Sequence, residues 1–150
     1  MKPGINNYSE IGKLNKVLLH RLGNEIEGLV PDNFERLLFD DIPYLKIAQQ
    51  EHDRFAELLR ENGVEVIYYV DETAKALSTD EIRKAFVDDF VADSGIYSEE
   101  AQEAVRDYLL SMPSKKLVEK VIAGIKKDEV AVKNKGSLAS YIASGYPYNT

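Results

Sequence analysis

The feature that most constrains the fold is the stretch 32–69, in which two helical patterns are followed by an apolar strand pattern. Asp32 and Glu35 form a capping-box-like start, which predicts a short helix ending around Leu38 because Pro43 disfavours helix just before it. A longer helix is predicted over residues 44–60, with an inward face recurring at three- and four-residue spacing: Ala48, His52, Phe55, Ala56 and Leu59. Asn62 and Gly63 tolerate left-handed geometry and end it.

Two strands flank this long helix. Residues 64–70 are apolar on both sides, which is typical of a buried strand. Residues 15–21 give the first strand, whose apolar run 17–19 also indicates cover on both faces. Strand, helix and strand form a βαβ unit with a right-handed crossover. Two strands leave both sheet edges exposed, so we expect something else to complete the sheet.

Beyond about residue 71 the pattern becomes helical. Ser78 with Glu81 predicts a capped helix to about residue 92, Ser98 predicts a second capped helix, and Ser114 a third. Residues 133–136 read as a charged loop and 137–144 as a short last helix. The pattern predicts one antiparallel bundle, with these side chains facing inward: Ile82, Ala85, Phe86 and Phe90; Ala101, Val105, Tyr108 and Leu109; Leu117, Val118, Val121, Ile122 and Ile125.

Composition excludes several classes of function. The excess of 26 acidic over 19 basic residues gives a net charge of −7, which argues against a general nucleic-acid surface. No apolar run approaches the roughly 20 residues that span a bilayer, and the start lacks the apolar core of a signal peptide, so a cytoplasmic location is expected. The absence of cysteine excludes disulfides, thiolate metal sites and a cysteine nucleophile. No phosphate-binding loop or catalytic triad motif occurs, and we expect no cofactor or metal.

The first half resembles the amino-terminal part of the arginine deiminase family. The resemblance rests on SEIGKL (9–14), VLLHR (17–21), ERLLFDDIPYL (35–45) and EHDRFAELLRENGVEV (51–66), and LLFDDIPYL is close to diagnostic. Beyond residue 77 it rests on the helix pattern and on SGYPY (144–148). It implies an α/β (α+β) fold with a partial first module of a pentein-type propeller (1–72), an inserted all-α helical bundle (73–146) and a tail (147–150). Leu22 stands where the family often has proline.

The family hydrolyses L-arginine to L-citrulline and ammonia, and its members are much longer than 150 residues. Residue 150 falls just before the segment that carries the family's first catalytic acid, so the resemblance implies a truncated chain that is inactive alone. No catalytic residue is assigned.

The acidic pair Asp40 and Asp41 is the most suggestive candidate for binding a guanidinium group. The structural alternative, a helix cap plus a solvated acid, is favoured on the residues alone. The resemblance adds that residues 38–41 match the loop lining the family's substrate entrance, with Leu38 at a position whose backbone meets arginine.

Three further residues admit a functional and a structural interpretation. His20 and His52 lack the spacing of a zinc site, and His52 is better explained as a residue at the edge of the core. Arg21, at a strand end, meets a bound carboxylate or else pairs with Asp40 or Asp41.

Two hypotheses from different classes follow. The chain is a truncated arginine deiminase, either a remnant or the first half of a two-chain enzyme whose other part is separately encoded, with L-arginine bound weakly if at all. Alternatively, it is a protein-binding or assembly module that associates with itself or a partner through exposed apolar surface.

Overall fold

The computed structural model describes residue 7 and residues 9–29, 40–41, 43–126 and 129–130. Over these residues the chain is mixed α/β and mostly helical, with one small parallel sheet. The elements in chain order are β1 (Lys16–Leu19), α1 (Asn24–Glu27), α2 (Leu45–Glu61), β2 (Glu65–Tyr68), α3 (Tyr69–Ala76), α4 (Asp80–Asp93), α5 (Glu99–Leu110) and α6 (Ser114–Ala123).

The predicted βαβ unit is confirmed. β1 and β2 pair in parallel, with a register that runs from Lys16 opposite Glu65 to Leu19 opposite Tyr68. The helix α2 lies between the two strands in sequence, as a parallel connection requires. An ion pair of 2.8 Å between Lys16 Nζ and Glu65 Oε1 joins the first residues of the two strands.

Helix α2 has the predicted position but only part of the predicted inward face. It ends at Glu61, and Gly63 follows with a positive φ of 77°, which confirms the predicted stop. Ala56 is fully buried, and the His52 ring lies 6.0 Å from that of Tyr68 on β2. Phe55, however, is 51% exposed. Because a two-stranded sheet is narrow, it covers only a narrow arc of the helix, and Phe55 is turned roughly 100° from Ala56.

Two strand predictions are wrong in detail. The second strand stops at Tyr68, and Tyr69 and Val70 begin α3, where Val70 packs against the helical core instead of extending the sheet. Leu18 is 52% exposed, although the apolar run of β1 indicated cover on both faces. Alternate side chains of a strand point to opposite faces, and among the described residues no layer covers the face that carries Leu18.

The main core lies among the helices that follow the sheet. Its most buried side chains are those of Val87, Val91, Val105, Leu109, Leu117 and Val118, each at most 1% exposed. The α5 and α6 residues among them were predicted. The inward face of α4 was predicted in part: Phe86 and Phe90 pack against the core, whereas Ile82 and Ala85 are exposed and the fully buried side chains are those of Val87 and Val91.

The helix caps are partly as predicted. Ser98 caps α5, since its side chain accepts a hydrogen bond from the Ala101 N–H at 3.4 Å. Thr79, rather than Ser78, caps α4. Ser114 is the first residue of α6 rather than its cap. Its hydroxyl donates to the carbonyl of Leu77 at 3.0 Å and so ties α6 to the end of α3.

Arg83 on α4 clamps the turn between α5 and α6. Its guanidinium donates to the carbonyl of Leu110 at 3.1 Å and to the carbonyl of Met112, and its side chain is only 20% exposed. Carbonyls at the end of a helix have no partner within the helix. The cation therefore satisfies acceptors that the break at Pro113 leaves open.

Several sequence predictions lie outside the described residues, namely the short helix over 32–38, the loop 133–136, the last helix 137–144 and the tail 147–150. The boundary at residue 72 between the propeller module and the helical bundle stays a prediction, and helix α3 runs across it.

We expect the amides of α6 to exchange more slowly than those of β2. Leu117 and Val118 anchor α6 in the core, whereas β2 pairs with a single described strand. Hydrogen exchange followed by NMR on the isolated chain measures both sets in one experiment. Faster exchange in α6 than in β2 would contradict this account of where the stability lies.

Replacing Arg83 by Met is expected to lower the free energy of unfolding by roughly 1.5–3 kcal/mol, the range for hydrogen bonds to a charged group. The matched control is Arg106→Met, which removes the exposed ion pair to Asp88 and is expected to cost less than about 1 kcal/mol. Urea unfolding of the two variants provides the comparison. Equal losses would show that Arg83 does not act as a clamp.

Candidate functional site

A cleft of about 500 Å³ opens where the carboxyl ends of β1 and β2 meet the helices. Open parallel sheets bind ligands at this edge, and the volume lies in the range of small-molecule sites. The turn after β1 and α1 contribute nearly half of the lining, α6 contributes three residues, α3 two, and β2 and α2 one each. The lining residues are His20, Arg21, Leu22, Gly23, Asn24, Glu25, Gln49, Tyr68, Val70, Asp71, Lys115, Glu119 and Ile122.

The turn after β1 is organised by Glu25. Its carboxylate accepts a hydrogen bond from the Gly23 N–H at 2.7 Å and lies 2.8 Å from Nε2 of His20. Burial by itself raises the pKa of Glu25, but the hydrogen bonds from Gly23, from its own backbone and from His20 outweigh it. The pKa therefore lies below its ordinary value of 4.5. The Glu25 carboxylate is therefore charged, and it holds His20 at the carboxyl end of β1.

Arg21 makes a bidentate ion pair at this edge. Its Nε and Nη2 donate to the two carboxylate oxygens of Asp53 at 2.7 and 2.8 Å, a bidentate geometry. This hydrogen bonding is the main cause that raises the pKa of Arg21 and lowers the pKa of Asp53. The predicted partners, Asp40 and Asp41, are wrong, because α2 places Asp53 beside the end of β1.

Further polar contacts cross the walls of the cleft. Nε2 of Gln49 donates to the carbonyl of Leu22 at 2.8 Å, which joins α2 to the turn after β1. Nζ of Lys115 lies 2.7 Å from Asp71 and joins α6 to α3. The cations of the cleft are therefore already neutralised by carboxylates of the same chain.

The described residues of the cleft offer hydrogen-bonding and charged groups. None of its lining residues is a cysteine, serine or threonine. Over the part of the chain that the structure describes, no group of histidine and acidic side chains is arranged to hold a metal ion. The polar groups of the cleft orient and neutralise one another, and among the described residues none is paired as a nucleophile with a base.

The predicted site residues divide between the cleft and other places. Arg21 and His20 line the cleft, whereas Asp40 and Asp41 are exposed and do not belong to its lining. Leu38 lies outside the described residues. The role of these three residues in binding substrate therefore stays a prediction. His52 is mostly buried, with a side chain 15% exposed and Nδ1 4.0 Å from Asp53, as expected for a residue at the edge of the core.

Sequence reasoning missed Gln49, Lys115 and Glu119 as neighbours of the strand ends. They come from α2 and α6, and their meeting depends on how the helices pack on the sheet. The spacing of Lys115 and Glu119 marks one side of α6 as polar, which is the only signal the sequence offers. Separately, among the described helices none is both long and apolar enough to cross a membrane.

The Glu25→Gln variant is expected to be less stable than the parent at neutral pH, by a margin that disappears in acid. The pKa of Glu25 is lower in the folded chain than in the unfolded chain. Its contribution to stability is therefore complete above about pH 4.5 and is lost as the pH falls through the folded value. Urea unfolding between about pH 7 and about pH 3 measures the difference. Glu27→Gln, an exposed acid of the same helix, is the matched control. A difference that grows in acid would contradict the assignment.

Comparison with known proteins gives one family. The sequence model of arginine deiminase matches residues 35–150. The chain is 49% identical over 145 residues to an arginine deiminase of Streptococcus equi subsp. zooepidemicus, and 48% identical to those of Streptococcus uberis and Streptococcus pyogenes. Each match covers 94% of this chain and 35% of the relative, so the chain spans about a third of the length of these curated proteins. The family model covers well over half of the chain and the identity is close to one half, and the chain therefore belongs to the arginine deiminase family.

Proposed function

We propose that this chain is a truncated arginine deiminase: it supplies binding groups for the hydrolysis of L-arginine to L-citrulline and ammonia and does not carry out the reaction alone. The observation that carries the proposal is the combination of strong family similarity with a sequence that contains no cysteine. Family membership supports the substrate and the reaction. The missing residue type supports the inactivity of the 150-residue chain.

The chemistry explains why a cysteine decides the matter. The guanidinium carbon shares its positive charge with three nitrogens and resists attack by water. The solution implied by the family resemblance is a cysteine thiolate, a histidine that moves protons, and carboxylates that orient the guanidinium. Here His20 is held by Glu25 and His52 packs beside Tyr68. Each histidine therefore contacts a structural neighbour and not a catalytic nucleophile. Binding without a nucleophile leaves the barrier largely intact.

The groups proposed to meet arginine are Asp40, Asp41 and the backbone of Leu38. Two carboxylates suit a guanidinium because each accepts hydrogen bonds from a planar cation. Asp40 and Asp41 are exposed and lie a few residues before α2. The bidentate contact between Arg21 and Asp53 and the contact between Gln49 and Leu22 hold α2 against the end of β1. The segment with Asp40 and Asp41 therefore leads into a helix that is fixed against β1. This favours a role for the segment as one wall of a larger pocket.

The remaining chemistry is proposed to come from the part of the relatives that this chain does not match. On the same basis we propose the finer architecture, with the βαβ unit as part of the first module of a pentein-type propeller and the later helices as an inserted bundle. The exposed face of Leu18 is consistent with cover by further modules. A cytoplasmic location stays a prediction.

A second candidate function is an assembly module. It is favoured by one observation, the large apolar side chains that the described part of the chain leaves exposed on α2 and β1. Such surface promotes association with another chain.

The isolated chain is expected to produce no citrulline from L-arginine. Loss of a covalent nucleophile removes on the order of 10⁴ or more in rate, which places activity below detection even at high protein concentration. The assay is run on the chain alone and after mixing with a separately made chain carrying the part of the Streptococcus equi relative that this chain does not match. Citrulline from the chain alone would overturn the proposal.

The mixture tests the binding groups. If it is active, Asp40→Asn with Asp41→Asn is expected to raise KM for arginine at least tenfold, about 1.4 kcal/mol of lost binding free energy. Glu99→Gln with Glu100→Gln, an exposed acidic pair on α5, is the control and is expected to leave KM unchanged. An active mixture that responds equally to both pairs would contradict the role of Asp40 and Asp41. An inactive mixture would support a remnant over half of a two-chain enzyme.

A further inference from the structure

The cleft at the carboxyl ends of β1 and β2 carries more carboxylates than cations. Three carboxylates line it, against two side chains that are cationic at neutral pH, Arg21 and Lys115. Asp53 adds a fourth carboxylate through its bidentate contact with Arg21. The carboxylates remain in excess even when His20 is protonated, so the cleft favours a positively charged ligand over an anion.

Three of the four carboxylates have a charged partner or a histidine within the chain. Asp53 pairs with Arg21, Glu25 with His20 and Asp71 with Lys115, at separations of 2.7 to 2.8 Å. The same contacts occupy both of the cationic side chains that line the cleft. The fourth carboxylate, that of Glu119, has neither a hydrogen bond nor an ion pair with any residue that the structure describes.

The geometry of α6 explains why Glu119 stays open. Lys115, Glu119 and Ile122 lie within roughly 60° of arc on this helix, and all three line the cleft. Lys115 precedes Glu119 by four residues, which is the order that gives the weaker helical ion pair. Its Nζ contacts Asp71 on α3 at 2.7 Å instead. The carboxylate of Glu119 is therefore open to a bound molecule.

Apolar side chains line the same cleft. Leu22, Val70 and Ile122 are each partly buried, and Val70 and Ile122 also pack against the helical core, which fixes their positions. These walls all belong to this chain, and the volume of about 500 Å³ lies in the range of small-molecule sites. A short aliphatic chain can therefore cover the apolar residues while a charged end meets Glu119.

We propose that this cleft binds a small organic cation, a primary alkylammonium ion whose nitrogen meets Glu119 and whose aliphatic chain lies on Val70 and Ile122. An ammonium group has three N–H donors. The lining offers further acceptors for them in the hydroxyl of Tyr68 and in Oε1 of Gln49, whose Nε2 already donates to the carbonyl of Leu22.

The occupied cations set the specificity of this site. A ligand with a carboxylate of its own is disfavoured, because Arg21 and Lys115 are already paired with acids of the chain. The site therefore selects a simple amine over an amino acid. It is separate from the contact proposed for L-arginine at Asp40 and Asp41, which do not line the cleft, and it does not rest on that proposal.

NMR titration of the isolated ¹⁵N-labelled chain tests the site with three probes that carry the same butyl chain: n-butylammonium, 1-butanol and pentanoate. The cation is expected to bind saturably, with a dissociation constant on the order of 1 mM, which lies within the ceiling for very small ligands. The largest shifts are expected at the amides of Gly23, Val70 and Ile122. The alcohol, the anion and L-lysine, which adds a carboxylate, are each expected to bind at least tenfold more weakly. No saturable shift, shifts confined to amides outside the cleft, or equal binding of the probes would overturn the proposal.

The variant Glu119→Gln tests the carboxylate itself. It removes the charge at an exposed position, and it is expected to raise the dissociation constant of n-butylammonium at least tenfold. Glu103→Gln is the matched control, the same change at an exposed position of α5 that does not line the cleft, and it is expected to leave the constant unchanged. Amide signals outside the cleft that match those of the parent show that each variant keeps its fold. Equal dissociation constants for the two variants would show that Glu119 does not hold the cation.

Discussion

The parallel pairing of β1 with β2 is the constraint from which the other features of this chain follow. A parallel pair cannot be closed by a tight turn, so the chain must cross over, and α2 makes that crossover. Because both strands then run the same way, their carboxyl ends meet at one edge and create the cleft that Arg21, Glu25 and Gln49 line. A two-stranded sheet is also too narrow to cover a 17-residue helix, which is why α2 keeps an exposed apolar stripe.

The two halves of the described chain contribute differently. The helical half holds the larger core, around Leu109, Leu117 and Val118, and the guanidinium of Arg83 closes the turn between α5 and α6. The sheet half has few buried side chains and relies on polar contacts, of which the bidentate pair between Arg21 and Asp53 is the most specific. Lys115 and Ser114 bind α6 to α3 next to the cleft, and α3 follows β2 without a break, which connects the sheet half to the helical half. The helical half therefore packs against the half that carries the proposed binding residues.

Local patterns predicted the elements well, and long-range packing accounts for most of what they missed. The βαβ unit, the glycine stop of α2 and the cap at Ser98 are each determined by a few neighbouring residues, and all were foreseen. Periodicity shows which residues of a helix share a face but does not show how much of that face a neighbouring element will cover. The prediction that Phe55 and Ile82 face inward is therefore wrong. The partner of Arg21 was missed for a related reason: Asp53 is 32 residues away and reaches the strand end only through the packing of α2. The family was identified from the motifs of residues 9–66, whereas the composition of the cleft was not predictable from any local motif.

The central proposal is that this chain offers a place for arginine without the means to hydrolyse it. Adding L-arginine labelled with ¹³C in the guanidino group to the ¹⁵N-labelled chain, and following both nuclei by NMR in one tube, tests it most directly. The account predicts that amide signals of Asp40 and Asp41 shift with arginine concentration while the guanidino carbon signal stays unchanged. Appearance of the ureido carbon of citrulline would contradict the missing chemistry, and shifts confined to other amides would contradict the proposed contact.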